Sequence, residues 1–308
     1  DMKNKKKLRR SGAKIMASLV LLLGSLAYIM LLAVINGTLG FISAMGVSLF
    51  GAIGIAKFLG ESIAVSYWVL IALAVGCGVL RGLLRYFEQY SNHYIAFRLL
   101  ATLRDKIFAS LRELCPAKLE SKQKGSIIAM ITSDIETLEV FYAHTISPIC
   151  IAVIFSLIIT IFVAIVSGPW LALVAVCAYL FIGIAVPMIS SGMLKESGVN
   201  YRCEFSSFNA YFLDSIKGVK DIVLNNAGEK REKEVNARSD VLLRETKKMK
   251  HNTPAAAAFT ELSVSFAILI TLIVGIVLVS ANAISLGRMI IGVVAVFSSF
   301  GPVIAISA

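Results

Sequence analysis

The chain has 308 residues, of which 57% are hydrophobic and 16% are charged, and it carries a net charge of +11. Soluble domains typically carry about 25% charged residues, so this composition excludes an ordinary soluble globular protein. It contains instead uncharged stretches long enough for membrane helices of about 20 residues, at positions 15–56, 62–80, 140–194, 262–287 and 289–308.

The basic residues are confined to three blocks. Every lysine and arginine lies within 1–14, 81–124 or 195–250, except Lys57 and Arg288. Because basic residues collect on the cytosolic side of membrane proteins, we expect all three blocks, including the N-terminus, in the cytosol. The segments between them then cross the membrane in pairs. This topology explains the positive charge, together with anionic membrane lipid near the N-terminal block, so no nucleic-acid partner is predicted.

The first apolar stretch predicts a spanning helix over about 15–37, followed by an apolar segment, 40–60, that is rich in Gly and Ser. A second span over that segment would place the basic block 81–124 outside the cell. We therefore interpret 40–60 as an outer-leaflet or re-entrant piece, which requires packing against protein.

The next span is predicted over 62–88, and its helical periodicity continues far beyond the apolar part. Neither Pro nor Gly occurs between Leu83 and Cys115. A continuous helix of about 50 residues would be about 75 Å long, more than twice the thickness of the hydrocarbon core. Pro116 ends it, and the sequence predicts a cytosolic hairpin over 89–138.

Two further spans, 139–166 and 170–194, are separated by a turn signal between Ser167 and Trp170. Pro187 marks a position where the second of these spans could kink.

A second cytosolic hairpin is predicted over 195–253, because this charged stretch is helical in pattern, with breaks at Gly218 and 225–228. The span 254–281 begins at Pro254, a favourable first-turn residue. The last span, 288–308, lacks a basic flank, and we expect the sequence to be cut off there. The predicted fold is all-α, with six transmembrane helices and long cytosolic helical extensions.

The sequence carries no motif for catalysis or metal binding. Its five cysteines are odd in number and lack a C-x-x-C spacing, a pattern that favours neither a disulfide framework nor a metal site. No G-x-x-x-x-G-K-[ST] loop, which holds nucleotide phosphates, occurs in the chain.

The tips of the two predicted hairpins share a pattern in which a glycine precedes a short apolar segment and an acidic residue. The first tip contains Gly125, Ser126, Ile131 and Asp134. The second tip contains Gly218 and Asp221. These tips resemble the two coupling helices of type I (type IV fold) ABC exporters, although Ser126 and Met130 replace charged residues that are usual in that family.

This resemblance covers most of the chain. It implies a basic cytosolic N-terminus, 1–14, followed by an exporter transmembrane domain, 15–308. It also implies coupling helices that dock on nucleotide-binding domains carrying ATP and Mg²⁺, which are expected downstream or on a separate chain. Because six helices make only half of such a pathway, it further implies a second transmembrane half. The chain would then be the permease part of an ATP-hydrolysing translocase, without an ATPase site of its own.

Within this family the chain is most similar to the C subunit of the CydDC exporters. The similarity lies in an aromatic-acidic run at 86–88, in His93, and in an F-R-x-L-x-x-L-R run at 97–104. It implies a heterodimer in the plasma (bacterial inner) membrane that exports a small thiol (cysteine or glutathione) or haem and supports cytochrome bd assembly. The alternative within the class is a peptide, lipid or drug half-transporter. The alternative outside it is an ATP-independent channel or a membrane scaffold.

Five residues are candidates for direct function. Arg81, Arg85 and Glu88 share one helix face, at i, i+4 and i+7, and such charges usually face a bundle interior or a water-filled path. Alternatively, both arginines snorkel to lipid head groups. Glu261, in an otherwise uncharged span, either contacts substrate or a cation or lies at interface depth. His93 either supplies an axial nitrogen to haem or packs in a helix seam.

Overall fold

The computed structural model describes residues 23–114, 138–139 and 141–307, and every element within them is helical. A 3₁₀ turn (Gly24–Leu26) leads into α1 (Ala27–Phe58), which is followed by α2 (Tyr67–Leu114). A π-helical turn (Tyr142–Ile146) leads into α3 (Ser147–Ser167), and α4 (Pro169–Leu180) continues through a second π turn (Phe181–Ala185) into α5 (Val186–Lys217). The remaining helices are α6 (Val219–Leu224), α7 (Gly228–Ser280), α8 (Leu286–Ser299) and α9 (Gly301–Ser307).

Six helical segments in the described part of the chain are long and apolar enough to cross a membrane. They are Ala27–Phe58, Tyr67–Glu113, Tyr142–Ser167, Pro169–Lys217, Gly228–Ser280 and Leu286–Ile306. This confirms the predicted all-α fold with six transmembrane helices.

The re-entrant interpretation of 40–60 is wrong, because α1 runs without a break to Phe58. The small residues of this segment instead allow α1 to lie close against α2. A Cβ atom at Gly46 would lie 2.9 Å from Cys77 Sγ, and one at Gly40 would lie 3.0 Å from Arg81 Nη1. The first two spans are therefore two long, closely packed helices.

Two long helices carry the polar extensions of the bundle. The 48 residues of α2 correspond to about 72 Å and the 53 residues of α7 to about 80 Å, both far longer than a membrane core of about 30 Å. The polar half of α7 packs along α5, as the second predicted hairpin requires.

Pro254 does not begin a helix, as the sequence suggested, but lies inside α7. A proline inside a helix removes one backbone hydrogen bond, and contacts with α5 support the helix at this point. Two residues before the proline, Asn252 Nδ2 donates to Ser197 Oγ at 2.7 Å. The kink considered at Pro187 is preceded by the π turn Phe181–Ala185, a common cause of helix bending.

The core consists of two apolar clusters. The larger one lies among α1, α3, α4, α7, α8 and α9 and includes the fully buried Phe155 and Phe300. The smaller one joins the start of α1, the middle of α2 and the π turn before α3, through residues such as Leu99 and Tyr142. The smaller cluster fixes α2 against α3 directly beyond the charged face of α2.

Candidate functional site

Arg85 and Glu88 form an ion pair on α2, as their spacing predicts for helix neighbours. Arg85 Nη1 donates to both carboxylate oxygens of Glu88, at 2.7 and 2.9 Å. The Glu88 side chain is only 3% exposed, whereas that of Arg85 is 44% exposed. A buried carboxylate requires such a partner because burial removes its hydration. The structure therefore brings these two predicted residues together.

Arg81 lies one turn before this pair and points towards α1. Its guanidinium stands over the ring of Phe41, with Cζ 4.4 Å from the ring centroid. Arg81 Nη1 is buried and has no hydrogen-bond partner among the described residues. Because Gly40 has no side chain, the guanidinium can approach the α1 backbone closely. This contact favours the interior interpretation of Arg81 over snorkelling to head groups.

The ion pair faces a cavity of about 550 Å³, called here the α2 cavity. One wall is α2, and the others are α1, the π turn before α3, the start of α3, and α9. The lining residues are Phe41, Arg85, Glu88, Gln89, Asn92, Ala143, His144, Thr145, Pro148, Ile149, Ile151, Pro302, Ala305 and Ile306. The cavity thus combines one ion pair and several neutral polar groups with apolar walls, as solute-binding pockets typically do.

The sequence analysis missed four polar residues of this wall. Asn92 and Gln89 lie on α2 beside the predicted charges, and His144 and Thr145 line the wall from the π turn. Asn92 could have been found, because it extends the stripe of Arg85 and Glu88 by one helical turn. Its place in a cavity wall was not predicted, because this part of α2 was interpreted as a solvated extension.

His93 lies close to the α2 cavity, in a seam with three other side chains. Its Nδ1 is 3.5 Å from Glu139 Oε1, and its ring centroid is 5.9 Å from that of Phe97 and 5.7 Å from that of His144. The imidazole is 41% exposed. The described residues contain no group of three or more His, Cys, Asp or Glu that could hold a metal ion. His93 therefore combines features of both interpretations, a packed seam and an accessible ring.

Glu261 is not part of the α2 cavity. It lies on the exposed surface of α7, beside an apolar cavity of about 700 Å³ between α4 and α7. The lining of that cavity includes its neighbours Leu262 and Ser263 but not Glu261 itself. The structure thus separates Glu261 from the other three predicted charges.

The second predicted tip forms a compact turn between the long helices. Gly218 joins α5 to α6, and Asp221 accepts the side-chain amide of Asn225 through its backbone oxygen at 2.8 Å. Asn226 has a φ of +49°, the left-handed conformation that tight turns use. None of the α6 residues is buried, and Val223 and Leu224 are 71% and 72% exposed.

Arg231, in the first turns of α7, braces this tip against the end of α5. It bonds to Asp214 Oδ2 at 2.8 Å and to Ser215 Oγ at 2.7 Å. Its guanidinium also stacks on Tyr211, with Cζ 3.7 Å from the ring centroid. Arg231 thus ties the end of α5 to the start of α7 at the base of the tip. The first predicted tip, with Gly125, Ser126, Ile131 and Asp134, lies outside the described residues.

A bundle of six spanning helices with long polar extensions, two of them joined by a short exposed tip helix, is the architecture of an ABC exporter membrane domain. The chain belongs to the ABC transporter transmembrane region family, whose model matches residues 26–303.

Three curated relatives are similar to this chain. A probable ABC transporter ATP-binding/permease protein of Haemophilus influenzae is 40% identical over 300 residues, covering 97% of this chain and 54% of the relative. The glutathione/L-cysteine transport system ATP-binding/permease protein CydC of the same organism is 26% identical over 185 residues, covering 54% of this chain and 32% of CydC. The Escherichia coli CydC is 31% identical over 121 residues, covering 39% of this chain and 20% of that protein. The chain thus spans about half the length of the first relative.

Proposed function

We propose that this chain is one membrane half of a heterodimeric, ATP-driven exporter that moves a small thiol, cysteine or glutathione, across the plasma (bacterial inner) membrane. The observation that carries the proposal is the ion pair between Arg85 and the buried carboxylate of Glu88 in the wall of the α2 cavity. Cysteine and glutathione carry an ammonium group and at least one carboxylate. A cavity that offers both an arginine and a glutamate suits such zwitterions. The names of the CydC relatives support the same solute class.

The energy would come from nucleotide-binding domains that hold ATP and Mg²⁺, on partner chains or elsewhere in the same protein. We propose that α6, with its exposed Val223 and Leu224, docks on such a domain as a coupling helix. The Arg231 contacts would make α5 and α7 move together with α6. The undescribed tip around Ser126 and Asp134 is proposed to act as the second coupling helix.

The orientation and pairing of the chain are part of the same proposal. The basic extensions of α2, α5 and α7 support a cytosolic position for these ends, by the positive-inside rule. Only 6% of the most apolar 18-residue stretch of α2 is buried within this chain. We propose that a second membrane half covers part of this open surface and completes the translocation path, while lipid covers the rest.

The proposal can be tested with the complete transporter, including its nucleotide-binding domains and partner, in proteoliposomes. We expect cysteine or glutathione to stimulate ATP hydrolysis and to accumulate in an ATP-dependent manner. Arg81→Ala and Arg85→Ala should reduce both signals strongly, whereas Arg98→Ala, which removes an exposed charge on the same helix, should leave them intact. Equal activity of all three variants would disprove a role for this cavity.

The same assay separates the competing functions. Solute uptake without ATP would identify a channel, and stimulation by peptides, lipids or drugs alone would identify another exporter substrate. ATP hydrolysis that responds to no solute would favour a scaffold for the assembly of another membrane complex. A role in cytochrome bd assembly predicts that deletion of the gene lowers the cytochrome bd spectrum of membranes.

Haem is a second candidate ligand, favoured by the position of His93. A carboxylate beside one imidazole nitrogen orients many metal-bound histidines, and Glu139 stands in this position relative to His93 Nδ1. We propose that His93 would supply the axial nitrogen if the transporter binds haem. A Soret band that is lost in His93→Ala but kept in His251→Ala, the exposed histidine of α7, would support this role. An unchanged band would disprove it.

A further inference from the structure

Asn92 is a buried polar residue whose carboxamide is incompletely bonded. It is 1% exposed, it lies in the wall of the α2 cavity, and its Oδ1 has no hydrogen-bond partner among the residues that the structure describes. Buried polar atoms almost always have a partner, because an unpaired one loses its hydration without compensation. An orphaned oxygen in a cavity wall is therefore a position where a bound molecule can donate a hydrogen bond.

The neighbours of Asn92 define which molecule would fit. Glu88, one turn earlier, adds a carboxylate acceptor to the same wall. Arg85 uses only Nη1 to hold that carboxylate, and its Nη2 and Nε donate no hydrogen bond to the described residues. The wall thus presents acceptors at Glu88 and Asn92 and donors at Arg85. Because the charges of Arg85 and Glu88 offset each other, this wall suits a zwitterion better than a simple inorganic anion.

We propose that Asn92 is a specificity-determining residue of the α2 cavity, where its Oδ1 accepts a hydrogen bond from an ammonium or amide N–H of the transported solute. The solute class is an α-amino acid or short peptide whose carboxylate pairs with Arg85. This inference rests on the proposed function of the cavity, but not on the thiol group of the solute. A site built to bond an N–H group should reject analogues that lack it.

The test compares solutes that differ only in the amino group. Cysteine would be compared with 3-mercaptopropionate, and alanine with propionate, as stimulators of ATP hydrolysis by the complete transporter in lipid nanodiscs. We expect the native transporter to prefer the amino-bearing member of at least one pair by about tenfold or more. Asn92→Leu, similar in size but without an acceptor, should reduce that preference about tenfold. Asn92→Asp should increase it, because a carboxylate attracts an ammonium more strongly.

Ser91→Ala is the matched control, because Ser91 lies beside Asn92 but bonds only to the backbone oxygen of Phe87. It should keep the native preference. If the native transporter discriminates but Asn92→Leu and Asn92→Asp discriminate equally well, the role of Asn92 is refuted and the proposed function stands. The transporter could instead prefer alanine over propionate in an Asn92-dependent manner while responding to neither thiol. That result would support the role of Asn92 and refute the thiol proposal. If no amino-bearing solute acts, both are refuted.

Discussion

Gly37 on α1 lies directly against the buried carboxylate of Glu88 on α2. A Cβ atom at Gly37 would lie 3.1 Å from Glu88 Cδ and 2.3 Å from Ile151 Cδ1 on α3. Three helices therefore meet at a position where only glycine fits without a shift. Because a side chain at position 37 would meet the Glu88 carboxylate, the position of that carboxylate depends on the identity of residue 37.

We expect Gly37→Ala to destabilise the protein by about 1–3 kcal/mol, because an added methyl group forces Ile151 or Glu88 to move. Gly51→Ala, on the same helix, is the control, because its Cβ would meet open space. That control should be neutral or slightly stabilising, since alanine favours helix over glycine by up to about 1 kcal/mol. Thermal unfolding of the purified protein measures both effects. Equal unfolding temperatures for the two variants would contradict the packing described.

The Arg85–Glu88 pair predicts opposite effects of single and double substitutions. Arg85→Met leaves a buried carboxylate without its partner and should destabilise the protein by about 1–3 kcal/mol. This is less than the roughly 3–5 kcal/mol of a fully buried pair, because Arg85 is partly exposed. The double variant Arg85→Met/Glu88→Met should regain most of that stability, since no buried charge remains.

The double variant should nevertheless lose solute-stimulated ATP hydrolysis, which separates the function of the pair from its structural role. Thermal unfolding and ATPase assays on the native protein, Arg85→Met and the double variant check both expectations. A double variant as unstable as Arg85→Met would show that the pair does not bury a charge that needs compensation.

The charged stripe of α2 could be predicted from the sequence because it depends on helix spacing alone. Residues 81, 85 and 88 share a face in any α-helix, and α2 has no Gly or Pro beyond residue 83 to interrupt it. The partners of the stripe could not be predicted, because Phe41 and Ile151 belong to distant helices. Asn92 continues the stripe by spacing alone, but its burial could not be predicted, since nothing in its local sequence distinguishes a cavity wall from a solvated surface.

The two incorrect predictions about helix boundaries have the same physical origin. The segment 40–60 is rich in small residues, which weaken helix propensity in isolation but allow close approach to α2 once the helices pack. Pro254 is a good first-turn residue by local preference, yet α7 continues through it, and the nearby Asn252 is bonded to Ser197 of α5. In both places tertiary contacts override a local preference, and a single sequence does not reveal those contacts.

The contacts of Arg231 predict that the motion of the tip can be uncoupled from that of α5 and α7 without unfolding the bundle. Arg231→Ala removes the bonds to Asp214 and Ser215 and the stacking on Tyr211. We expect a small effect on thermal unfolding but a marked loss of solute-stimulated ATP hydrolysis, because α6 would no longer move rigidly with α5 and α7. Lys233→Ala is the control, since Lys233 pairs only with the exposed Glu229 and such pairs contribute at most about 1 kcal/mol. Identical ATPase responses in both variants would argue against the brace.

The exposed apolar tip predicts a docking defect that is confined to the assembled transporter. Val223→Asp places a charge on a side chain that is 71% exposed, so the unfolding temperature of the membrane domain should hardly change. If α6 is buried against a nucleotide-binding domain, the same charge is desolvated at that interface, and coupled ATP hydrolysis should fall roughly tenfold or more. Leu243→Asp is the control, because Leu243 is 50% exposed on α7, away from the tip. A loss of coupling in Leu243→Asp equal to that in Val223→Asp would mean that the tip is not the docking site, whereas a loss confined to Val223→Asp would locate the contact at α6.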